Sequence, residues 1–220
     1  MNRRDYLKSM LILGISGSSF LNAKPKSANK ILILALGGAG CNCIEKLNKL
    51  PAQTDLICVS SREHPMPNGG LFLPFKANKS YDLYTKNTVE LSRKEIAESD
   101  AMKSIKNQLN TTAYKQVIFV AGLGGSTGTG FCRHLLCLAP QTIEASKAQI
   151  HMVVSFPFPF ESKVRAKAIR TLMNSLPQEV SVHDFPLSGL LKHHGDMPFN
   201  DALEMINSRK ADKIIELCRT

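Results

Sequence analysis

Five glycines fall within ten residues in AGLGGSTGTG, Ala121–Gly130. Glycine lets backbone N–H groups turn inward at φ values that other residues resist. A helix starting directly after such a loop adds exposed N–H groups and the positive end of its dipole. Thr127 and Thr129 bring hydroxyls to the same place. Many donors with little side-chain bulk suit the oxygens of a phosphate. A second, shorter run, Gly37-Gly38-Ala39-Gly40, offers the same chemistry. Other chemistries find less support. Ser, His and Asp all occur, but no nucleophile-elbow motif accompanies them. His193 and His194, followed by Gly195 and Asp196, would point in different directions on a strand or helix, so they read as loop rather than as a metal pair. The cysteines, Cys41, Cys43, Cys58, Cys132, Cys137 and Cys218, show no CxxC spacing. Cys41-Asn42-Cys43 reads as packing in preference to a metal or redox site.

For two glycine loops to meet, the elements before and after them must share one edge of one sheet. The apolar run ILILAL (31–36) precedes the first loop and QVIFVA (116–121) runs into the second. Both read as buried parallel strands. DLICVS (55–60), QIHMVVSF (149–156) and the weaker EVSVHDF (179–185) extend the series, and LFLPF (71–75) reads as an edge strand because of Pro74. Helices are expected over CIEKLNKL (43–50), Asn87–Leu109, Thr129–Lys147 with a break at Pro140, Lys163–Leu176 and Asp201–Cys218. Strands alternating with helices of this length predict an α/β fold, a Rossmann-like parallel sheet with helices on both faces and no second domain. Right-handed crossovers then put both glycine loops at the carboxyl ends of strands, where such sheets bind ligands.

The first loop alone would also suit a nicotinamide-binding domain. That reading needs an acidic residue after the next strand, where Ser61-Arg62 stands, and it leaves the second loop without a role. Close helix–strand packing would account for Gly128 and Gly130, but not for five glycines with interleaved threonines.

Three motifs, in order, resemble the FtsZ/tubulin family. GLGGSTGTG is similar to that family's GGGTGTG signature, with Ser126 at the third glycine. Gly37-Gly38-Ala39-Gly40-Cys41-Asn42 resembles its first phosphate loop, GGAGGN. Pro157-Phe158-Pro159-Phe160-Glu161-Ser162-Lys163-Val164-Arg165 resembles the bacterial PFPFEGxxR segment. The resemblance covers residues 30–218 and implies the Rossmann-like GTPase domain over 29–220. It implies GTP or GDP as ligand, with Mg2+ as an optional companion. The residues it assigns to the nucleotide are Gly38, Ala39, Gly40 and Asn42 from the first loop, and Gly124, Gly125, Ser126, Thr127, Gly128 and Thr129 from the second. Glu161 matches a ribose-binding acid and Arg165 an arginine close to the nucleotide. Taken without the motif, Glu161 and Arg165 read as a solvated i,i+4 pair.

The chain also departs from that pattern. Ser60-Ser61-Arg62 stands where the family has an Asn-Thr-Asp-like stretch, and KANKSYDLYTKN (76–87) where it has GxGAGGNP. His183-Asp184 replaces a base-recognising Asn, with Asp184 able to accept from a purine amino group. Asn207-Ser208 falls where an acid would contact the base. The sequence ends at Thr220, before the NxDxxD-type loop and second domain of family members. Water activation at a γ-phosphate needs a positioned polar or acidic group, so weak or absent hydrolysis is expected and no catalytic residue is assigned.

Residues 1–28 read as an address. Arg3-Arg4-Asp5-Tyr6-Leu7-Lys8 resembles the twin-arginine motif, a mild apolar run follows from Met10 to Leu21, and Ala23 offers a cleavage point, with Ala28 as a weaker one. The run is short for a membrane span. Periplasmic export is the expectation, with contact to the membrane only in transit. A disordered tail on a cytoplasmic protein is the alternative. The formal net charge of +10 divides into +4 before residue 29 and +6 spread beyond it. Without an aromatic-rich or helix-turn-helix pattern, this suits a basic face or an anionic ligand better than nucleic acid. Three functions follow: a pseudo-GTPase that binds guanine nucleotide; an exported interaction protein that keeps the fold without nucleotide, through a protein partner or homo-oligomer; or a GTPase completed by a filament-forming partner.

Overall fold

A computed structural model of the chain describes residues 29–47, 49–76, 94–144, 147–157, 163–189 and 197–220, without the side chains of Asn68 and Val164. Residues 1–28, read above as an export signal, Glu161, residues 77–93 and the His193-His194-Gly195-Asp196 stretch lie outside the described residues.

Six strands form one sheet: β1 (Lys30–Leu36), β2 (Thr54–Ser60), β3 (Leu71–Pro74), β4 (Tyr114–Gly122), β5 (Gln149–Phe156) and β6 (Val180–Pro186). Their order is β3-β2-β1-β4-β5-β6, and every pair is parallel. Strands covered on both faces are apolar at successive positions. Accordingly, Leu32, Leu34 and Leu36 face one layer while Ile31, Ile33 and Ala35 face the other. Pro74 lacks an N–H and is tolerated at the end of an edge strand.

The helices are α1 (Gly38–Ile44), α2 (Asp100–Thr111), α3 (Ser126–Arg133), α4 (Gln141–Glu144), α5 (Lys163–Met173) and α6 (Phe199–Arg219). Core residues of α1 and α6 pack on one face with Ile118, Val120 and Val153 of the central strands. Those of α2, α3 and α5 pack on the other with Val117, Phe119 and Val154. The order turns outward in both directions from the β1–β4 pair, so a crevice opens at their carboxyl ends.

Three helix boundaries differ from the sequence reading. The expected helix over 43–50 instead starts at Gly38 and ends at Ile44, because the first glycine loop itself forms the opening turn. Likewise α3 starts at Ser126 rather than Thr129 and gives way to a π-helical turn over His134–Leu138 before Pro140. The long helix expected to Leu109 is interrupted at Ser99, whose extended backbone ends the preceding turn. Its hydroxyl accepts from the Met102 N–H at 3.1 Å, capping α2.

Candidate functional site

The two glycine loops meet. A Cβ placed on Gly37 would lie 3.2 Å from the Gly128 nitrogen and 3.5 Å from Cβ of Thr127, and one on Gly122 would lie 2.6 Å from Cβ of Ala39. The first loop is hung from the sheet by Gly37, whose N–H donates to the Val59 carbonyl at 2.7 Å. The second is hung by Leu123, whose N–H donates to Ser155 at 2.9 Å. Gly38 and Ala39 remain exposed at the opening of α1, and Gly125 is exposed at the N-cap of α3. Ser126 and Thr127 are half-buried in the first turn of α3.

Gly40 and Gly124 are two of the glycines that geometry requires. Gly40 lies so close to β4 that a Cβ would sit 2.3 Å from the Val120 carbonyl oxygen, which brings α1 hard down on the sheet. Gly124 has φ +93°, a left-handed conformation that a side chain would strain. Its N–H donates to the Thr129 hydroxyl at 2.8 Å. The buried Thr129 therefore braces the loop from beneath. Gly128 and Gly130 are packing positions: a Cβ on the first would reach Leu36 O at 3.0 Å, and on the second Cδ1 of Ile96 at 2.3 Å.

Arg165, near the start of α5, joins the site from a distant part of the sequence. Its Cβ and Cδ lie 3.3 and 3.6 Å from where a Gly124 Cβ would be. The stem of Arg165 thus packs on the second loop. Asn42 meets a partner to which the sequence reading gave no site role: its Oδ1 accepts from Nη2 of Arg62 at 3.0 Å.

The segment carrying Arg62 is itself clamped. His64, with its side chain 1% exposed, sits between Glu45 Oε1 at 2.6 Å from Nδ1 and Ser60 Oγ at 3.2 Å from Nε2. Ser60 is also buried. The ring therefore ties the end of β2 to the residue after α1. The arrangement resembles a hydrolase triad in composition, but a buried serine makes it a strut.

A second feature missed from sequence is Lys210 of α6, which is 0% exposed. Its Nζ donates to the Ala121 carbonyl at 3.3 Å and to the Ala39 carbonyl at 3.5 Å, one from each glycine segment. The signal was present: Ile206, Lys210, Ile214 and Leu217 share one helical stripe, and the lysine is its one polar member.

Among the described residues no carboxylate hydrogen-bonds to either glycine loop, and no cluster of three His, Cys, Asp or Glu is arranged for a metal. Asp184 is exposed on β6, two strands from β4. A cavity of about 400 Å³ lies elsewhere, lined by Leu136, Ile143, Ile150, Pro177 and Val180 at the amino ends of β5 and β6.

Solved structures share this architecture. The empty FtsZ dimer of M. jannaschii is 19% identical, with a TM-score of 0.63 over 99% of this chain and 59% of that one. The fold is that of the FtsZ/tubulin GTPase domain. The Tubulin/FtsZ family, GTPase domain, matches residues 76–183, which include the second glycine loop and the segment around Arg165. CetZ from Methanosaeta thermophila is 14% identical, with a TM-score of 0.63 over 86% of this chain and 53% of that one. TubZ of Clostridium botulinum phage c-st is 16% identical, with a TM-score of 0.56 over 84% of this chain and 58% of that one. The chain thus spans less than two thirds of each of these structures. No curated protein matches it.

Proposed function

We propose that the chain binds a guanine nucleotide, GDP or GTP, in the crevice between its glycine loops and hydrolyses it slowly or not at all. One observation carries the reading. Gly37 and Gly128 bring two loops with N–H groups at helix starts into contact at the carboxyl ends of adjacent central strands, with Arg165 packed on the second loop. Backbone donors and a guanidinium form a cradle for phosphates. Slow hydrolysis is supported by the same surroundings. The side chains around the described crevice are hydroxyls, an amide and two arginines, and Glu45 is engaged by His64 rather than aimed at the loops. None of these described side chains would take a proton from water.

The test is calorimetric titration of the purified full chain with GDP, GTP and ADP, followed by a multiple-turnover phosphate-release assay with GTP. Saturable binding of GDP and GTP with little phosphate release is the expected result. Absence of binding would overturn the reading. Fast release on adding a filament-forming relative would instead make the protein a partner-completed GTPase. A solved CetZ2 protofilament from Haloferax volcanii with GTPγS bound and a TubZ protofilament from bacteriophage PhiKZ lend that outcome its interest.

For residues 1–28 the reading is export of the folded protein, supported by Arg3-Arg4 ahead of an apolar run. The intact mass of protein isolated from the cell envelope tests it: loss of the first 23 residues is expected, and a full-length mass in the cytosolic fraction would refute it.

A further inference from the structure

Lys210 is a basic side chain with no counter-charge among its described neighbours. It is fully buried, and both of its hydrogen-bond partners are neutral carbonyls. The groups that attract it are the thiols of Cys43, on α1, and Cys132, on α3. Burial pushes those thiols up to about 11 and about 12, so both stay neutral near pH 7 and lend it no charge. The same burial draws the lysine below its ordinary value. A buried charge without a partner is costly, and a protein tolerates one where something else supplies the opposite charge. The ammonium lies where that charge would come. Ala39 O belongs to the first glycine segment and Ala121 O immediately precedes the second, and these two segments touch through Ala39 and Gly122.

We propose that Lys210 is the positioning cation of the anion crevice: it holds the two glycine segments together from below and favours a ligand through its phosphates rather than its base. This deepens the nucleotide reading and rests on it. The lysine does not touch the ligand. A phosphate bound in the loops and the charge on Lys210 stabilise one another across a water-free layer of backbone, where electrostatic coupling is strong. The coupling is reciprocal. Each unit by which a bound phosphate raises the proton affinity of the lysine is a tenfold gain in phosphate affinity.

Lys210→Met keeps the length and removes the charge; exchanging a buried ion for an apolar group of similar volume is often neutral or stabilising, so the variant should fold. Lys210→Gln removes the charge and keeps a donor. Thermal shift and calorimetry would compare GDP, guanosine and inorganic pyrophosphate on all three proteins. The expected result is a loss of about tenfold or more in affinity for GDP and pyrophosphate in both variants, guanosine unchanged, and a ligand-free Tm equal to or above wild type. Equal losses for GDP and guanosine, or a glutamine variant that binds GDP like wild type, would overturn the proposal and leave nucleotide binding intact. If wild type binds pyrophosphate but not GDP and the variants lose it, the proposal stands and the guanine reading falls. A wild type that binds neither overturns both.

Discussion

The backbone N–H of Gly124 donates to the hydroxyl of Thr129 at 2.8 Å, closing the second glycine loop on itself. Thr129 is buried, so a valine there fills the same space and leaves that N–H without an acceptor. Thr129→Val should lower stability by about 1–3 kcal/mol, and Thr129→Ser by much less. Urea unfolding measures both. Equal midpoints for valine and wild type would show that the bond contributes nothing to holding the loop.

Gly40 and Gly38, two residues apart, should answer alanine in opposite ways. At Gly40 the new methyl meets the Val120 carbonyl, a backbone atom that cannot swing aside, and a cost of about 3 kcal/mol is expected. At Gly38 nothing lies within 4 Å, and the substitution should be neutral to about 1 kcal/mol stabilising. Yet Gly38 opens α1 at the crevice, so Gly38→Ala should still weaken GDP binding. A comparison of Tm and GDP affinity for the two variants separates packing from ligand approach.

The guanidinium of Arg62 is exposed and reaches Asn42 at 3.0 Å. Arg62→Gln should change stability by less than about 0.5 kcal/mol, as exposed substitutions usually do. It should weaken GDP about threefold to tenfold if the arginine adds charge to the crevice. The loss should shrink in high salt, because exposed charges are screened. A salt-independent effect would assign Arg62 to holding Asn42 rather than to the phosphate.

Acid should destabilise the fold through its histidines. His151 and His183 stack with ring centroids 5.5 Å apart, and Nδ1 of the first lies 3.3 Å from Nε2 of the second. Burial, and then each other and Lys213, lower His151; burial and Lys213 lower His183 against a partial pull from Glu216. His134 is lowered by burial and by Lys106. With folded values below the unfolded value of about 6.5, the unfolded chain binds more protons. Stability is therefore constant at high pH, falls as pH drops through about 6.5, and levels off below the folded values. Urea midpoints measured between pH 8 and pH 4.5 should trace this curve. The pair His151→Gln and His183→Gln should flatten it, and an unchanged slope would place the titration elsewhere.

The sheet was legible because parallel strands are apolar at every position: ILILAL and QVIFVA leave little else to be. The glycine loops were legible as loops but not as the opening turns of α1 and α3, since glycine signals a break before it signals a helix start. The interruption at Ser99 turns on a single hydroxyl and on the backbone angle of one residue, neither of which periodicity reports. For Arg165 the motif gave only closeness to a nucleotide; its packing beside Gly124 was not legible. Arg62, His64 and Lys210 were passed over because what they do depends on how separate elements meet, and for Lys210 the partners are far along the chain. The Lys210 acceptors lie 89 and 171 residues away in sequence.

The pairing of β1 with β4 has a kinetic consequence. Ile31–Leu36 lies against Gln116–Ala121, whereas β1 finds β2 only a short way downstream. Closing the long loop between β1 and β4 demands more chain entropy than any neighbouring strand pair, and such contacts form late. The β1-β2-β3 half and the β4-β5-β6 half can each assemble locally first, with the last seam to zip running through the crevice itself. The crevice is then the final part of the molecule to form, and a ligand that held both loops would act as a latch on the completed fold.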